Sequence, residues 1–103
     1  FMIRKVSKKQ AKKNAELIKI KREMDRECYF CGGYGGDLAH VLPRSLFPQY
    51  YTEKWNLIIA CRTHHNLFDN DIEFRKKFNY LYLQVVKKVN PEDKGMVDKY
   101  FGR

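Results

Sequence analysis

The apolar positions of the chain predict helices towards both ends and a short pair of strands between them. A segment from about 7 to 26 repeats apolar residues at helical spacing, and Ser7 can cap its start. Basic side chains cover much of the remaining surface of this segment. The expected apolar stripe consists of Ala11, Ala15, Ile18 and Leu17. We therefore expect an amphipathic N-terminal helix with a basic outer surface.

The middle of the chain predicts two strands followed by a helix. Residues 37–42 are typical of a short strand that ends at Pro43, and the apolar run 57–60 is typical of a second strand. The connecting loop carries aromatic and basic residues, and a helix is expected from Cys61 to about Phe68. This order predicts a hairpin that leads directly into a helix.

The C-terminal part of the chain predicts two more helices. Apolar residues keep near-helical spacing from 71 to 88, and a second helix is expected from 90 to about 101. Asn90 would cap that second helix, with Pro91 in its first turn. Most aromatic side chains of this region are expected in the core. The prediction is one small α+β domain over residues 1–103, with terminal helices packed around the hairpin.

Composition narrows the classes of partner and site. The formal net charge is +9 and the pI about 9.6, which favours a polyanionic partner, either nucleic acid or an acidic membrane face. The sequence has no apolar run long enough to cross a bilayer and no signal-peptide pattern, so a cytoplasmic protein is expected. Three cysteines, two of them in a Cys-x-x-Cys pair, then favour metal binding over a disulfide.

All the cysteines and histidines lie between Cys28 and His65, which predicts a metal centre. Cys28 and Cys31 form one close pair, and Cys61 and His64 form a second about thirty residues later. Four such ligands suit tetrahedral Zn²⁺ in a closed structural site. Alternatively, the cysteines bind no metal and are reduced, buried residues that act as small hydrophobic side chains. Neighbouring helical residues point about 100° apart, so His65 is expected to have a different role from that of His64.

His40, Asn56 and His65 remain, in that order, inside the cysteine frame. The segments from 38 to 45, at 56–57 and from 61 to 69 resemble HNH endonucleases of the ββα-metal (His-Me finger) class, in particular small phage and prophage members. The resemblance covers about residues 28–70. It implies a treble-clef-like zinc-stapled ββα core with flanking helices, acting on DNA in the cytoplasm of a bacterial host cell.

The resemblance also implies roles for the three residues. His40 would be the general base that activates water, and His65 would bind one catalytic divalent cation, such as Mg²⁺, Mn²⁺, Ni²⁺ or Zn²⁺. Asn56 would orient His40 or complete the metal site. The products would carry a 5′ phosphate and a 3′ hydroxyl.

The sequence departs from the family pattern at Ala39, where many members carry a second metal ligand directly before the base histidine. Asp37 is the obvious substitute ligand. Alternatively, Asp37 has a purely structural role and caps the glycine-rich turn before it. Asp69, one helical turn after His65, is a second candidate. Without either ligand the metal would be held weakly.

Several basic residues are candidates for DNA contact, mostly through the phosphate backbone. Arg44 suits a two-point contact with phosphate, or else a surface salt bridge. The other candidates are Lys12 and Lys19 on the N-terminal helix, and Lys54, Tyr50 and Tyr51 in the loop between the strands. Cutting both strands would need two active sites in a dimer or two separate events, and the expected assembly is a homodimer or a larger phage or host complex.

The functional prediction is a metal-dependent DNA endonuclease that nicks one strand per active site. The main alternative is a non-catalytic treble-clef zinc module that binds nucleic acid, in which His40 and Asn56 are incidental. A nuclease that acts on RNA is a third possibility.

Overall fold

A two-stranded antiparallel hairpin lies at the centre of the molecule. In the computed structural model, which describes residues 8–103 and the side chains of residues 11–103, strand β1 (Asp37–His40) pairs with β2 (Leu57–Ala60). Asp37 lies opposite Ala60 and His40 opposite Leu57. All four residues of β2 are buried, because their apolar side chains are covered on both faces. The second strand agrees with the predicted range, and the first is two residues shorter.

Helices surround the hairpin, giving a small mixed α/β fold. They are α1 (Lys8–Glu23), α2 (Arg62–Asn70), α3 (Ile72–Arg75), α4 (Asn79–Val86) and α5 (Lys94–Tyr100). Short 3₁₀ turns occur at Pro48–Tyr50, Lys54–Asn56 and Pro91–Asp93. The expected cap Ser7 lies outside the described residues. Of the described helices, none has the length and apolarity needed to cross a bilayer.

Aromatic side chains fill much of the core between α2 and the C-terminal helices, as predicted. Phe47, Phe68 and Phe101 are fully buried. Phe30, which belongs to the Cys-x-x-Cys turn, packs on Phe78 with ring centroids 4.7 Å apart and also contacts Phe68 and Phe74. This turn is therefore attached to the core by an aromatic anchor as well as by its cysteines.

The predicted apolar stripe of α1 is wrong. Ala11, Ala15 and Ile18 are exposed, and Ile20 is the buried residue. Residues two positions apart on a helix point about 200° away from each other, so Ile18 and Ile20 cannot share one face. The face turned towards the domain carries Lys13, Leu17, Ile20 and Met24.

The predicted continuous helix from 71 to 88 is broken into α3 and α4. At the break, the backbone amides of Lys77 and Phe78 donate hydrogen bonds of the tighter i→i−3 type to the carbonyls of Phe74 and Arg75. The guanidinium of Arg75 is buried and donates to the carbonyls of Phe68, Asp69 and Tyr100. It thereby satisfies carbonyl groups at the end of α2, where helical partners are missing.

The helix caps also differ from expectation. Asp71 caps α3, because its carboxylate accepts from the amides of Glu73 and Phe74. Asn90 was expected to cap the last helix, but its side chain caps no amide of the described chain. Its backbone amide instead donates to the Tyr50 hydroxyl, 2.9 Å away. This contact ties the C-terminal helices to the loop between the strands.

Two glycines allow the Cys-x-x-Cys turn to close against β2. Gly32 has a φ of +73°, a conformation that side chains other than glycine rarely adopt. At Gly35 a Cβ atom would lie 2.4 Å from Ile59 Cγ2 and 3.1 Å from the Cys28 amide nitrogen. The backbone of the turn thus approaches β2 more closely than a side chain permits.

We predict that Gly35→Ala destabilises the fold by about 2 kcal/mol, because the added methyl group overpacks a site bounded by backbone. Gly95→Ala is the matched control, since a Cβ there meets nothing within 4 Å and the residue is helical. That control should be neutral or gain up to about 1 kcal/mol. Urea unfolding measures both, and equal stability of the two variants would contradict the close approach at Gly35.

Candidate metal centre and histidine cleft

Four predicted ligands converge at the junction of the Cys-x-x-Cys turn and α2. The Sγ and imidazole nitrogen atoms of Cys28, Cys31, Cys61 and His64, called here the Cys–His cluster, lie within 4.8 Å of one another. Cys31 Sγ is 4.0 Å from Cys61 Sγ, and Cys61 Sγ is 3.0 Å from His64 Nδ1. Sulfur ligands of tetrahedral zinc lie about 3.8 Å apart. The cluster is therefore compatible with a structural zinc site, as predicted.

Local backbone structure brings these ligands together. Cys61 is the extended residue before α2, and its carbonyl accepts from the His65 amide in the first helical turn. The turn at Cys28 is closed by its amide, which donates to the Gly33 carbonyl, and the Tyr29 amide donates to Ile59 on β2. Both ligand pairs are therefore fixed relative to the hairpin.

The environment of the Cys28 thiol lowers its pKa. Burial alone would raise its pKa, but backbone hydrogen bonds from Cys61, Cys31 and Phe30 lower the pKa from 9.0 to about 6. A thiolate is the form of cysteine that binds metal. The lowered pKa of Cys28 thus agrees with a metal ligand rather than with an inert buried thiol.

His65 faces away from the Cys–His cluster, as expected for a helical neighbour of His64. Its Nδ1 lies 3.0 Å from Asp37 Oδ2, and its Nε2 lies 3.1 Å from Asp69 Oδ2. Carboxylates accept but do not donate, so each ring nitrogen must carry a proton or a cation for both contacts to be favourable. Asp37 and Asp69, the two carboxylates considered from the sequence, both reach His65.

Asp37 also forms an ion pair with Arg62, a residue that no sequence motif distinguishes. Arg62 Nε lies 3.0 Å and Nη2 lies 3.2 Å from the two carboxylate oxygens. The hydrogen bond with His65 and the positive charge of Arg62 hold the pKa of Asp37 below its usual range. Burial raises the pKa of Asp69. The carboxylate of Asp37 is thus committed to His65 and Arg62 rather than to capping the glycine turn.

His40 shares an open cleft of about 380 Å³ with His65. The cleft, called here the histidine cleft, is lined by Asp37, His40, Tyr51, Arg62, His65 and Lys21. Leu17 and Ile18 of α1 form an apolar wall. Lys21 could not be distinguished in the sequence from the other lysines of α1, because only the packing of the helix brings it to the cleft.

The orientation of His40 is defined by Tyr51. His40 Nε2 lies 2.8 Å from the Tyr51 carbonyl oxygen, which can only accept a hydrogen bond. The proton of the neutral imidazole therefore sits on Nε2, and Nδ1 keeps its lone pair. Burial, the largest influence, lowers the pKa of His40 below its ordinary value. Neutral His40 is accordingly the dominant form at pH 7.

Asn56 does not complete a metal site and does not contact the His40 ring. It is fully buried, and its amide oxygen accepts from the Leu42 amide at 2.7 Å. Its amide nitrogen donates to the carbonyls of Leu42 and Tyr50, both at 3.1 Å. Backbone partners thus use the whole amide group. Asn56 can act on His40 only through the loop that it anchors.

The predicted DNA contacts fall in different places. The exposed Arg44 lies over the Tyr51 ring, with Cζ 4.9 Å from its centroid. Lys54 pairs with Glu23 at 3.2 Å, away from the histidine cleft. Lys12 and Lys19 are exposed on α1 but do not belong to the cleft lining. Tyr50 is buried, and its hydroxyl donates to Asp93.

Ligand atoms of a second metal site do not converge in the same way. Within residues 8–103, the Cys–His cluster is the one group of three or more such side chains whose ligand atoms all lie within 4.8 Å. His65 instead forms separate pairs with Asp37 and with Asp69. On either side of the ring, the described side chains pair His65 with one carboxylate.

Comparison with known proteins identifies no relative: no family model, no curated protein and no solved structure matches the chain.

We predict that the purified protein binds one zinc ion per chain, and that Cys31→Ala loses it together with much of the folding free energy, because structural zinc binding is coupled to folding. His65→Ala is the matched control and should keep its zinc, because His65 faces the other side of α2. Metal analysis by mass spectrometry and thermal unfolding check both variants. Loss of zinc from the His65 variant alone would show that His65, and not His64, is the fourth zinc ligand.

Proposed function

We propose that this protein is a metal-dependent endonuclease of the HNH type, which hydrolyses phosphodiester bonds in DNA. One observation carries the proposal: the His40 imidazole, with Nε2 held by the Tyr51 carbonyl, shares a cleft with the His65–Asp37 pair. Lys21 and Arg62 line the same cleft. A base, a candidate cation site and positive charge for phosphate are the three elements that hydrolysis of a phosphodiester requires.

His40 is the proposed general base. With its proton fixed on Nε2 by the Tyr51 carbonyl, Nδ1 can accept a proton from the water that attacks phosphorus. Its half-buried position and lowered pKa keep it neutral at physiological pH. An imidazolium at this position could not accept the proton.

His65 and Asp37 are the proposed ligands of a catalytic divalent cation. Their facing atoms are 3.0 Å apart, and two adjacent ligands of an octahedral ion with bonds of about 2.1 Å lie about 3 Å apart. When bound, the cation would stabilise the charge that grows on the 3′ leaving oxygen. Mg²⁺ commonly binds through one or two carboxylates together with substrate phosphates and water, so a small number of protein ligands fits it.

Asp69 is then the orienting partner of His65 rather than a ligand. It accepts from Nε2 at 3.1 Å, on the side of the ring opposite to Asp37, and it is not part of the cleft lining. Histidines that bind metals through one nitrogen usually donate the other N–H to a carboxylate or carbonyl. The arrangement Asp69–His65–Asp37 follows this pattern and leaves Nδ1 for the cation.

DNA would bind mostly through its backbone. Arg62 is exposed beside its partner Asp37, and Arg44 lies over the Tyr51 ring, so both add positive charge near a phosphate bound in the cleft. The net charge of +9 adds a general attraction for nucleic acid. A nick in one strand is the product expected from one cleft, and a double-strand break needs two copies of the protein.

We predict that the protein nicks supercoiled plasmid in the presence of Mg²⁺ or Mn²⁺, and that His40→Ala lowers the rate about 10²- to 10⁴-fold. His65→Ala should lower the rate to a similar extent while DNA affinity changes little, because the phosphate-binding residues remain. Gel electrophoresis and a filter-binding assay measure the two properties. Tyr80→Ala, an exposed residue of α4, is the control and should cut normally.

The same experiment separates the proposal from its main rival. Plasmid that stays intact with every divalent metal, although the protein holds zinc and binds DNA, would show a non-catalytic zinc module. Preferential cutting of RNA in competition with DNA would keep the chemistry and change the substrate.

We predict that the rate of cleavage falls as the pH drops, with a midpoint below pH 6.5, the ordinary pKa of histidine. The reason is that a general base must be neutral, and the pKa of His40 lies below its ordinary value of 6.5. The pH dependence of kcat/KM at saturating Mg²⁺ measures this. A midpoint above pH 7 would contradict the assignment of His40 as the base.

A further inference from the structure

Tyr51 contacts the imidazole of His40 in two independent ways. Its carbonyl oxygen accepts the Nε2 proton at 2.8 Å, and its ring stacks on the imidazole with centroids 4.7 Å apart and planes inclined by 4°. The hydrogen bond fixes one atom of the imidazole, and the stacked ring restricts rotation of its plane. Together they hold the imidazole in one orientation at the histidine cleft.

The loop that carries Tyr51 is anchored through the preceding residue, Tyr50, by two sets of hydrogen bonds. The Asn56 amide donates to the carbonyl of Tyr50, the preceding residue, at 3.1 Å inside the core. The Tyr50 hydroxyl donates to Asp93 and accepts from the Asn90 amide. Tyr51 is therefore attached to the buried centre of the domain and to its C-terminal helices. A residue held this way can impose its orientation on a neighbour.

Cationic side chains lie over the same ring. The guanidinium carbon of Arg44 is 4.9 Å from the ring centroid, and Lys13 Nζ is 5.9 Å from it. An aromatic face attracts cations, so the ring provides a common surface for Arg44 and the imidazole. The ring thus contacts both the proposed base and basic residues suited to phosphate.

We propose that Tyr51 is the positioning residue of His40: its stacked ring holds the imidazole plane so that Nδ1 faces the attacking water. The effect on catalysis rests on the proposed nuclease function, whereas the effect on the imidazole itself does not. The phenolic hydroxyl has no part in this role, because the contact is made by the ring face and the backbone carbonyl.

The test compares Tyr51→Phe, which keeps an aromatic ring, with Tyr51→Leu, which removes it. Nitrogen-15 and proton spectra of the histidine ring report both the tautomer and the stacking, because a stacked aromatic ring shifts imidazole protons upfield. We expect the wild type and Tyr51→Phe to show the Nε2–H tautomer and upfield ring protons for His40. Tyr51→Leu should keep its zinc but lose the upfield shift.

Steady-state cleavage kinetics supply the second readout. Tyr51→Leu should lower kcat by about tenfold or more with a smaller change in KM, because a misdirected base slows chemistry more than binding. Tyr51→Phe should restore most of kcat, and Tyr80→Leu, the matched substitution at a remote exposed tyrosine, should have no effect. A Leu variant that keeps both the upfield shift and kcat would overturn the proposal.

The two proposals fail in different ways. Suppose that the wild-type protein cuts no DNA, but the ring-proton resonances of His40 still shift in Tyr51→Leu. The nuclease function is then wrong, and the contact between Tyr51 and His40 is supported. If the wild type cuts and Tyr51→Leu lowers kcat without any change in the His40 spectrum, Tyr51 acts by another route and the positioning proposal is wrong.

Discussion

The junction between the Cys-x-x-Cys turn and the first turn of α2 determines where the reactive side chains of this protein point. Cys61 precedes α2, His64 turns back to the cysteines, and His65 is rotated about 100° from His64 around the helix. Any ion that joins the Cys–His cluster therefore also fixes the direction of His65. The metal centre and the histidine cleft are two consequences of one helical turn, which explains how two adjacent histidines can have separate roles.

A second constraint acts on the other side of the cleft. The loop between the strands is long relative to the four-residue strands that it joins, so it needs internal anchors. Asn56 provides them by satisfying the backbone groups of Leu42 and Tyr50 within the core. An unpaired amide buried at this position would cost about 1–3 kcal/mol. The hydrogen bonds of Asn56 thus stabilise the fold and, through Tyr51, reach the imidazole of His40.

The sequence predicted the ligands of the Cys–His cluster because their identity and spacing carry the information directly. It also placed the hairpin and α2 to within two residues at each end, where short apolar runs are bounded by glycine, proline and cysteine. Predictions from the sequence were wrong where tertiary packing determines which residues are buried. The buried face of α1 depends on the choice between Ile18 and Ile20, and the break after α3 accompanies a buried arginine that bonds distant carbonyls. Of the two roles predicted for Asn56, completing a metal site does not fit its buried hydrogen bonds, whereas orienting His40 through the loop remains a prediction.

The histidine cleft was partly predictable. The sequence singled out His40, His65 and both carboxylates, but no local pattern distinguishes Arg62 or Lys21 from the many other basic residues. The stacking of Tyr51 on His40 joins residues eleven positions apart across an irregular loop, so periodicity could not reveal it.

The central claim is that one face of α2 holds zinc for architecture while the next residue serves a separate, exchangeable cation. Crystals of the zinc-bound protein soaked in Mn²⁺ test this directly, because anomalous scattering distinguishes the two elements. The account predicts zinc at Cys28, Cys31, Cys61 and His64, and manganese beside Nδ1 of His65 and the carboxylate of Asp37. Zinc bound by His65, or no manganese at that imidazole even with a bound oligonucleotide, would contradict it.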